Sequence, residues 1–406
     1  MLALFCSRRD SLTVPTLDTP PADSKDSLDG KDSLDGRRPV GQRWPTQPGI
    51  ADTQLSGSTL GDYQVLGRIG HGGMGAVYLA RKVSLAGIDR LYALKVMHQH
   101  LTFDDAAIAM ILDEASAAAR VHHPNILAVE SFEEDSERLF LVMQYVEGCT
   151  FGQLLKRTPE FRDPARVLSV VLDALEGLDA AHRARDYLGR PLNIVHRDFT
   201  PDNILVGVDG VGRIADFGIA KTSLARATTS PGAHKGRYAY MSPEQLQAKP
   251  TDRRSDLFSA GIVLYNALTG LRLFVGGSDP QTMSNILDQP IAPPSTIGLQ
   301  PNPAFDSVCL RALTRDRNDR FQSAAEMAEA LRAAARRCGV IPARAPVANW
   351  VQMAFGKQLD ERWAVVRNLI AALPSEPPSK APEEIKLTPP RRTPRGTGRG
   401  LPKLEA

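Results

Sequence analysis

Between Gly70 and Gly75 the chain reads Gly-His-Gly-Gly-Met-Gly, a G-x-G-x-x-G spacing. A glycine turn of this kind lets backbone N–H groups close over phosphates with no Cβ in the way. The same spacing marks dinucleotide-binding folds, where the last glycine opens a helix. Here it opens Ala76-Val77-Tyr78-Leu79-Ala80, a run with the composition of a strand. Downstream, Tyr92-Ala93-Leu94-Lys95 puts an ammonium on a third apolar run, where it could reach phosphates, and Glu114 follows on a segment of helical pattern that could pair with it. Three further clusters come in order: His196-Arg197-Asp198-Phe199-Thr200-Pro201-Asp202-Asn203, Asp216-Phe217-Gly218 and Ser242-Pro243-Glu244.

The elements that must position these residues can be read from periodicity. Tyr63–Ile69 and Ala76–Ala80 alternate as strands around the glycine cluster, and Leu91–Met97 is a third strand. Asp104–Val121 has helical spacing, and two more strands are expected near Leu127–Phe132 and Leu139–Gln144. From about Cys149 the pattern turns helical, over Ala165–Arg185, Arg253–Leu268, Ala304–Leu313 and Ser323–Arg337. Strands first and helices afterwards predict an α+β chain of two unequal lobes. A last helical pair is expected near Val347–Phe355 and Asp360–Leu373.

In these clusters and their order the sequence resembles the bacterial eukaryotic-like (Hanks-type) serine/threonine protein kinases. The resemblance implies a bilobal kinase domain over 61–337, with a small antiparallel-sheet lobe over about 61–147 and a larger helical lobe over about 148–337. It also implies the use of ATP with Mg²⁺, Mn²⁺ being the alternative ion, and protein substrates. By similarity the segment Gly70, His71, Gly72, Gly73, Met74, Gly75, Ala76 and Val77 covers the ATP phosphates, and Ile69 just before it also belongs to the nucleotide site. Lys95, held by Glu114, would bind the α- and β-phosphates. Asn203 and Asp216 would hold the metal through hard oxygen ligands. Asp198 would accept the proton of the substrate hydroxyl. The adenine would lie between Val77 and Ala93 above and an apolar floor below, with Met143 at the back and backbone groups of Gln144 and Val146 facing the base. Arg197 implies a phosphorylated activation segment, expected at Thr228 or Thr229 among Thr222, Ser223, Thr228, Thr229 and Ser230. Asp256 would brace the catalytic loop, and Arg320 would pair with Glu244.

Two positions depart from the family pattern on one contact. Where such kinases carry lysine two residues after the catalytic aspartate, this chain has Thr200; where they carry Gly-Thr before Tyr-x-Tyr-Met-x-Pro-Glu, it has Gly236-Arg237. A unit charge about 4 Å from a phosphate is worth roughly 4 kcal/mol at an effective dielectric near 20. Its uncompensated loss would slow transfer about a thousandfold. The paired change makes Arg237 the candidate replacement cation. Tyrosine kinases compensate with arginine four residues after the aspartate; here that position is Asp202, so tyrosine specificity is not expected. The polar Gly-Pro turn between Ala180 and Val195, with Arg237 and Thr200, is similar to a subgroup common in myxobacteria. The alternative from another class is a pseudokinase-like scaffold that binds partners or nucleotide without phosphoryl transfer.

Composition bounds the rest. The 406 residues are 42% hydrophobic and 23% charged, ordinary for globular proteins, which excludes a wholly disordered chain, a collagen or a coiled-coil rod. No apolar run approaches the roughly 18 residues of a membrane span, and the N-terminus lacks a signal peptide's basic region, so a cytoplasmic location is expected. Cys6, Cys149, Cys309 and Cys338 are isolated, the pattern of inert thiols rather than of a disulfide framework or zinc site. The net charge of +3 divides into −1 over residues 1–60, +1 in the middle and +3 over 375–406, so no basic folded surface points to specific nucleic-acid binding. Residues 1–60, with the tandem Lys-Asp-Ser-Leu-Asp-Gly of Lys25–Gly36, are expected to be a disordered arm. Residues 338–373 are expected to form a short helical extension, and 374–406, with eight prolines, a disordered basic tail. Input is expected through these flanks or through an activating partner protein; oligomeric state is not legible.

Overall fold

A computed structural model describes residues 55, 57–72, 75–82, 90–98, 119–135, 138–217 and 238–372. Gly73, Met74, Glu114, Gly218, the Thr222–Ser230 hydroxyls, Arg237, most of the helix expected over Asp104–Val121 and nearly all of both arms lie outside the described residues.

The first lobe is a six-stranded antiparallel sheet. Its strands are β1 (Thr59–Leu60), β2 (Tyr63–Gly72), β3 (Gly75–Lys82), β4 (Arg90–Met97), β5 (Val129–Asp135) and β6 (Arg138–Gln144), in spatial order β1-β2-β3-β4-β6-β5. Both faces are covered, which is why the strands read as nearly continuous apolar runs. Alternation divides them: Tyr78, Leu94, Phe140 and Val142 pack on the outer face, while Val77, Leu79, Ala93, Leu141 and Met143 pack on the inner face. Val77 lies directly opposite Lys95 in the β3–β4 register, so the lysine shares the inner face. Gly75 is required by close approach, because a Cβ there would collide with the Val96 carbonyl.

The second lobe begins with β7 (Gly148–Thr150), α1 (Phe151–Arg157) and α2 (Pro164–His182), followed by β8 (Ile204–Gly207) and β9 (Gly212–Ile214). Then come α3 (Pro243–Leu246), α4 (Arg253–Thr269), α5 (Asp279–Asp288), α6 (Asp306–Ala312), α7 (Ala324–Arg337) and α8 (Arg344–Ala372). Strands β7, β8 and β9 form a small antiparallel sheet. Helix α2 starts where the Asp163 side chain accepts from the Arg166 N–H, with Pro164 in its first turn. Helix α4 starts on Asp252 and stops at Gly270, which takes the left-handed conformation at φ 79°. Both are buried almost all round, as helices at the centre of a lobe must be. Arg320, fully buried, donates to Glu244 at 2.8 and 3.0 Å and also to the carbonyls of Thr314, Arg254 and Arg315, so the expected ion pair forms with its donors satisfied.

One element differs from expectation. In place of a helical pair after residue 344, a single 29-residue helix runs through Gly356. The buried positions Val347, Val351, Phe355, Leu359 and Val366, with half-buried Arg362 and Trp363, continue one helical stripe across the glycine. A mid-helix glycine costs only about 1 kcal/mol, less than the burial of Phe355 and Leu359 on either side of it returns. No helix among the described residues is long and apolar enough to cross a membrane.

Candidate active site

The catalytic-loop cluster hangs from Asp256 near the start of α4. Its carboxylate, almost wholly buried, accepts from the backbone N–H groups of His196 and Arg197 at 2.8 Å each and contacts His182 Nε2 at 2.8 Å. These bonds hold Arg197 in a left-handed conformation, φ 63°, that a non-glycine residue adopts only when its surroundings impose it. Gln245 adds a bond from its side-chain amide to the Arg197 carbonyl at 2.8 Å. The buried His196 ring lies between Phe199 and Phe217, with centroids 5.8 and 4.9 Å away, and contacts the Ala215 carbonyl at 3.1 Å. The loop carrying Asp198 is thereby fixed to the segment carrying Asp216.

Asn203 closes the arrangement. Its Nδ2 donates to the Asp198 carbonyl at 2.7 Å and to Asp198 Oδ2 at 2.8 Å, and its carbonyl accepts from the Ala215 N–H at 2.9 Å. Next along the chain, Asp216, also at positive φ (58°), accepts from Lys95 Nζ at 2.7 Å; both side chains are nearly buried. Contacts thus run from Asp198 through Asn203 to the backbone of Ala215, and from its chain neighbour Asp216 to Lys95, linking the two lobes. The expected Lys95–Glu114 pair involves a residue outside the described ones; the lysine contact seen is with Asp216.

A pocket lies beside this chain, lined by Ile69, Ala93, Gln144, Tyr145, Val146, Gly148, Cys149 and Leu205. Three residues expected to surround an adenine, Ala93, Gln144 and Val146, are therefore neighbours, with Ile69 beside them. Val77 and Met143 are buried in the same apolar cluster. Gly70 and His71 pair with Val77 and Ala76 at the end of the β2–β3 hairpin, with His71 exposed; Gly72 and Gly75 pair as its last residues. The Ala76 side chain packs on the sheet's outer face, away from the pocket side. Burial pushes the Cys149 thiol pKa up despite the nearby Arg362 and Arg157 charges, so it lines the pocket as an inert apolar group.

Sequence reading named no floor residue; Leu205 is one, legible as the alternate apolar position two residues after Asn203. Tyr145 was also missed, and so were Arg362 and Trp363 of α8, for which no local signal exists. Arg362 donates to the Tyr145 hydroxyl at 3.2 Å, and Trp363 Nε1 donates to the Glu147 carboxylate.

The expected metal would need oxygen donors. Among the described residues no group of three or more His, Cys, Asp or Glu could hold a metal alone. Asp216, beside Lys95, and Asn203, bonded through its carbonyl to the neighbouring Ala215, instead carry side-chain oxygens of the kind that suits an ion taking its remaining ligands from phosphate and water, as Mg²⁺ does.

Comparisons with known proteins agree with this geometry. A family model described as the protein kinase domain matches residues 63–331. The chain is 34% identical over 274 residues to a protein named tyrosine-protein kinase MasK from Myxococcus xanthus, covering 67% of this chain and 42% of that one. It is 37% identical over 288 residues to a probable serine/threonine-protein kinase PknB from Bifidobacterium longum, covering 68% and 39%. With serine/threonine-protein kinase PknL from Mycobacterium tuberculosis it shares 34% over 308 residues, covering 76% and 72%. The chain thus spans about two fifths of the length of the first two relatives. Among solved structures, the kinase domain of Mycobacterium tuberculosis PknI superposes with a TM-score of 0.53 at 27% identity, covering 69% of this chain and 98% of that one. With the fold, the linked Asp198–Asn203–Asp216–Lys95 chain and a domain match over most of the folded residues, this chain belongs to the protein kinase family, among relatives of the bacterial eukaryotic-like type.

Proposed function

We propose that the chain transfers the γ-phosphoryl group of ATP to serine and threonine hydroxyls of protein substrates, acting in signalling and phosphorylating its own activation segment. The observation that carries this is the contact chain from Asp198 to Lys95 beside the apolar pocket: it joins a carboxylate, two oxygen donors and an ammonium in the order phosphoryl transfer uses. In this reading Ile69, Ala93 and Leu205 sandwich the adenine, and Gln144 and Val146 offer it backbone groups. Gly70–Val77 covers the phosphates. Lys95, paired with Glu114, orients the α- and β-phosphates. Asn203 and Asp216 hold Mg²⁺, or Mn²⁺ in its place, which neutralises phosphate charge when bound.

Asp198 orients the substrate hydroxyl and takes its proton as the oxygen bonds to the γ-phosphorus. The bond from that phosphorus to the β–γ bridging oxygen breaks, and ADP leaves. Asn203 keeps the Asp198 carboxylate aimed by donating to it. Arg237 supplies the charge that Thr200 lacks. Phosphate on Thr228 or Thr229 pairs with Arg197 and orders the segment.

The test is phosphate incorporation from γ-labelled ATP with Mg²⁺, comparing the chain with Asp198→Asn and followed by phosphoamino-acid analysis. Incorporation on serine and threonine that vanishes in the variant is expected. Phosphotyrosine would overturn the substrate class. Nucleotide binding without incorporation would favour the scaffold reading, which rests on Thr200. For the compensation by Arg237, Arg237→Ala is expected to lower the rate, with recovery in Thr200→Lys/Arg237→Thr; an unchanged rate in Arg237→Ala sinks that part.

A further inference from the structure

Helix α8 belongs to two cores at once. Its first half lies in the apolar core of the helical lobe, through Val347, Trp350, Val351, Ala354, Phe355 and Leu359. The Trp350 indole is fully buried, stands edge-on to Phe151 at 6.3 Å and donates to Thr158 Oγ1 at 2.7 Å. The Arg344 end sits so close to the β8–β9 turn that a Cβ on Gly210, itself at φ 73°, would strike the Arg344 carbonyl. At about 1.5 Å per residue the helix is about 43 Å long. That length carries its far end out of this core to the connection between the lobes.

There it enters a different cluster. Val366, 1% exposed, is buried with Leu66, Ile69, Val77, Ala93, Met143 and Leu205, the apolar set around the candidate nucleotide pocket. Trp363, Leu369 and Ile370 pack against the same set, as do Tyr145 and Val146. Two polar contacts then hold the inter-lobe segment: Arg362 to the Tyr145 hydroxyl, and Trp363 to the Glu147 carboxylate. No α8 residue lines the pocket itself. The helix instead meets the segment Gln144–Gly148, which forms one wall, through Tyr145 and Glu147.

We propose that Trp363 and Arg362 of α8 are positioning residues for ATP: by holding Tyr145 and Glu147 they pre-set the pocket wall, so that nucleotide affinity depends on contacts made outside the pocket. The inference rests on the reading of that pocket as the nucleotide site. A wall held in its binding geometry before ligand arrives spares the ordering cost that a loose wall would levy on binding. The two equilibria are then linked, and nucleotide must tighten the α8 contact by the factor that the contact tightens nucleotide. The effect should fall on ATP and not on the acceptor protein, because the contacts are made to Tyr145 and Glu147 and not to Asp198.

The test uses the full chain. Dissociation constants for Mg²⁺ with the non-hydrolysable analogue AMP-PNP are measured by calorimetry for the wild type, Trp363→Phe, Trp363→Ala and, as control, Trp350→Phe. Trp363→Phe keeps a ring and removes the N–H donor; Trp350→Phe cuts a bond in the same helix at its other end. We expect about a threefold weakening for Trp363→Phe and about tenfold for Trp363→Ala. In steady-state kinetics the KM for ATP should rise by the same factors, with kcat changing less than twofold. Trp350→Phe should lower the melting temperature while leaving nucleotide affinity within twofold. Hydrogen exchange over residues 360–372 should slow when AMP-PNP is added. A wild type that binds with Trp363→Ala within twofold of it overturns the proposal. So does equal weakening by Trp350→Phe and Trp363→Ala, since the helix would then act only through overall stability. A wild type that binds no nucleotide overturns the pocket reading, and the proposal with it.

Discussion

At the scale of single residues, the ion pairs Lys95–Asp216 and Arg320–Glu244 make opposite demands. Lys95 and Asp216 hold each other in the cleft at 2.7 Å, where each is also assigned to a ligand. Lys95→Met should cut phosphate incorporation at least a hundredfold if Lys95 orients the phosphates as proposed, because it removes that cation. Circular dichroism should show the fold retained, since the pair sits at the cleft and not in a core. Arg320 and Glu244 do structural work. Burial alone would raise the Glu244 carboxyl, but the hydrogen bonds from Arg320 and Ser255 and the Arg320 charge outweigh it and hold the pKa below its ordinary 4.5. A carboxylate depressed in the folded state contributes stability fully above its unfolded value, and that share is lost as pH falls through the folded value. Urea midpoints should therefore drop below about pH 4.5, and Glu244→Gln should flatten that part of the profile. Arg320→Ala leaves a buried carboxylate unpaired and should cost about 3–5 kcal/mol in urea unfolding.

At the scale of elements, α8 shows how a helix can be misread. The Gly356-Lys357 step resembles a stop signal, yet the buried stripe keeps its 3–4 residue spacing across it. A Cβ at Gly356 would meet mainly the Gln352 side chain, whose flexible amide can swing aside. Gly356→Ala should accordingly raise stability by about 0.5–1 kcal/mol, read as an increase in urea midpoint at unchanged slope. The β2–β3 hairpin behaves in the opposite way. Gly75→Ala would drive a methyl group into the Val96 carbonyl, and the expected outcome is weaker nucleotide binding and a lower melting temperature. The two glycines differ in what surrounds the missing side chain: a backbone carbonyl at Gly75, a flexible side chain at Gly356.

At the scale of the whole molecule, ligand and fold should be coupled through the cleft. A ligand that binds only the folded form stabilises it by about 2.7 kcal/mol at a hundredfold excess over its dissociation constant. Mg²⁺ with AMP-PNP should thus raise the melting temperature by a few degrees, and Mg²⁺ alone by less. A melting temperature unmoved by saturating nucleotide would contradict the pocket assignment. The two-core placement of α8 also means that the lobes are joined by a helix as well as by the connecting strand.

The sequence by itself determined the local parts. Glycine spacing before a strand, the Lys95 strand and the Asp198 and Asp216 clusters were legible because they depend on residue type at short range, as did the order of strands and helices. The bracing by Asp256 and the Arg320–Glu244 pair followed from resemblance, and their bonds are present. Only the tertiary structure decided that Lys95 meets Asp216, 121 residues away. The same holds for Trp363, which reaches Glu147 across 216 residues of chain. Contacts of that separation are set by how two lobes and a long helix pack, and no periodicity within a short window carries that information.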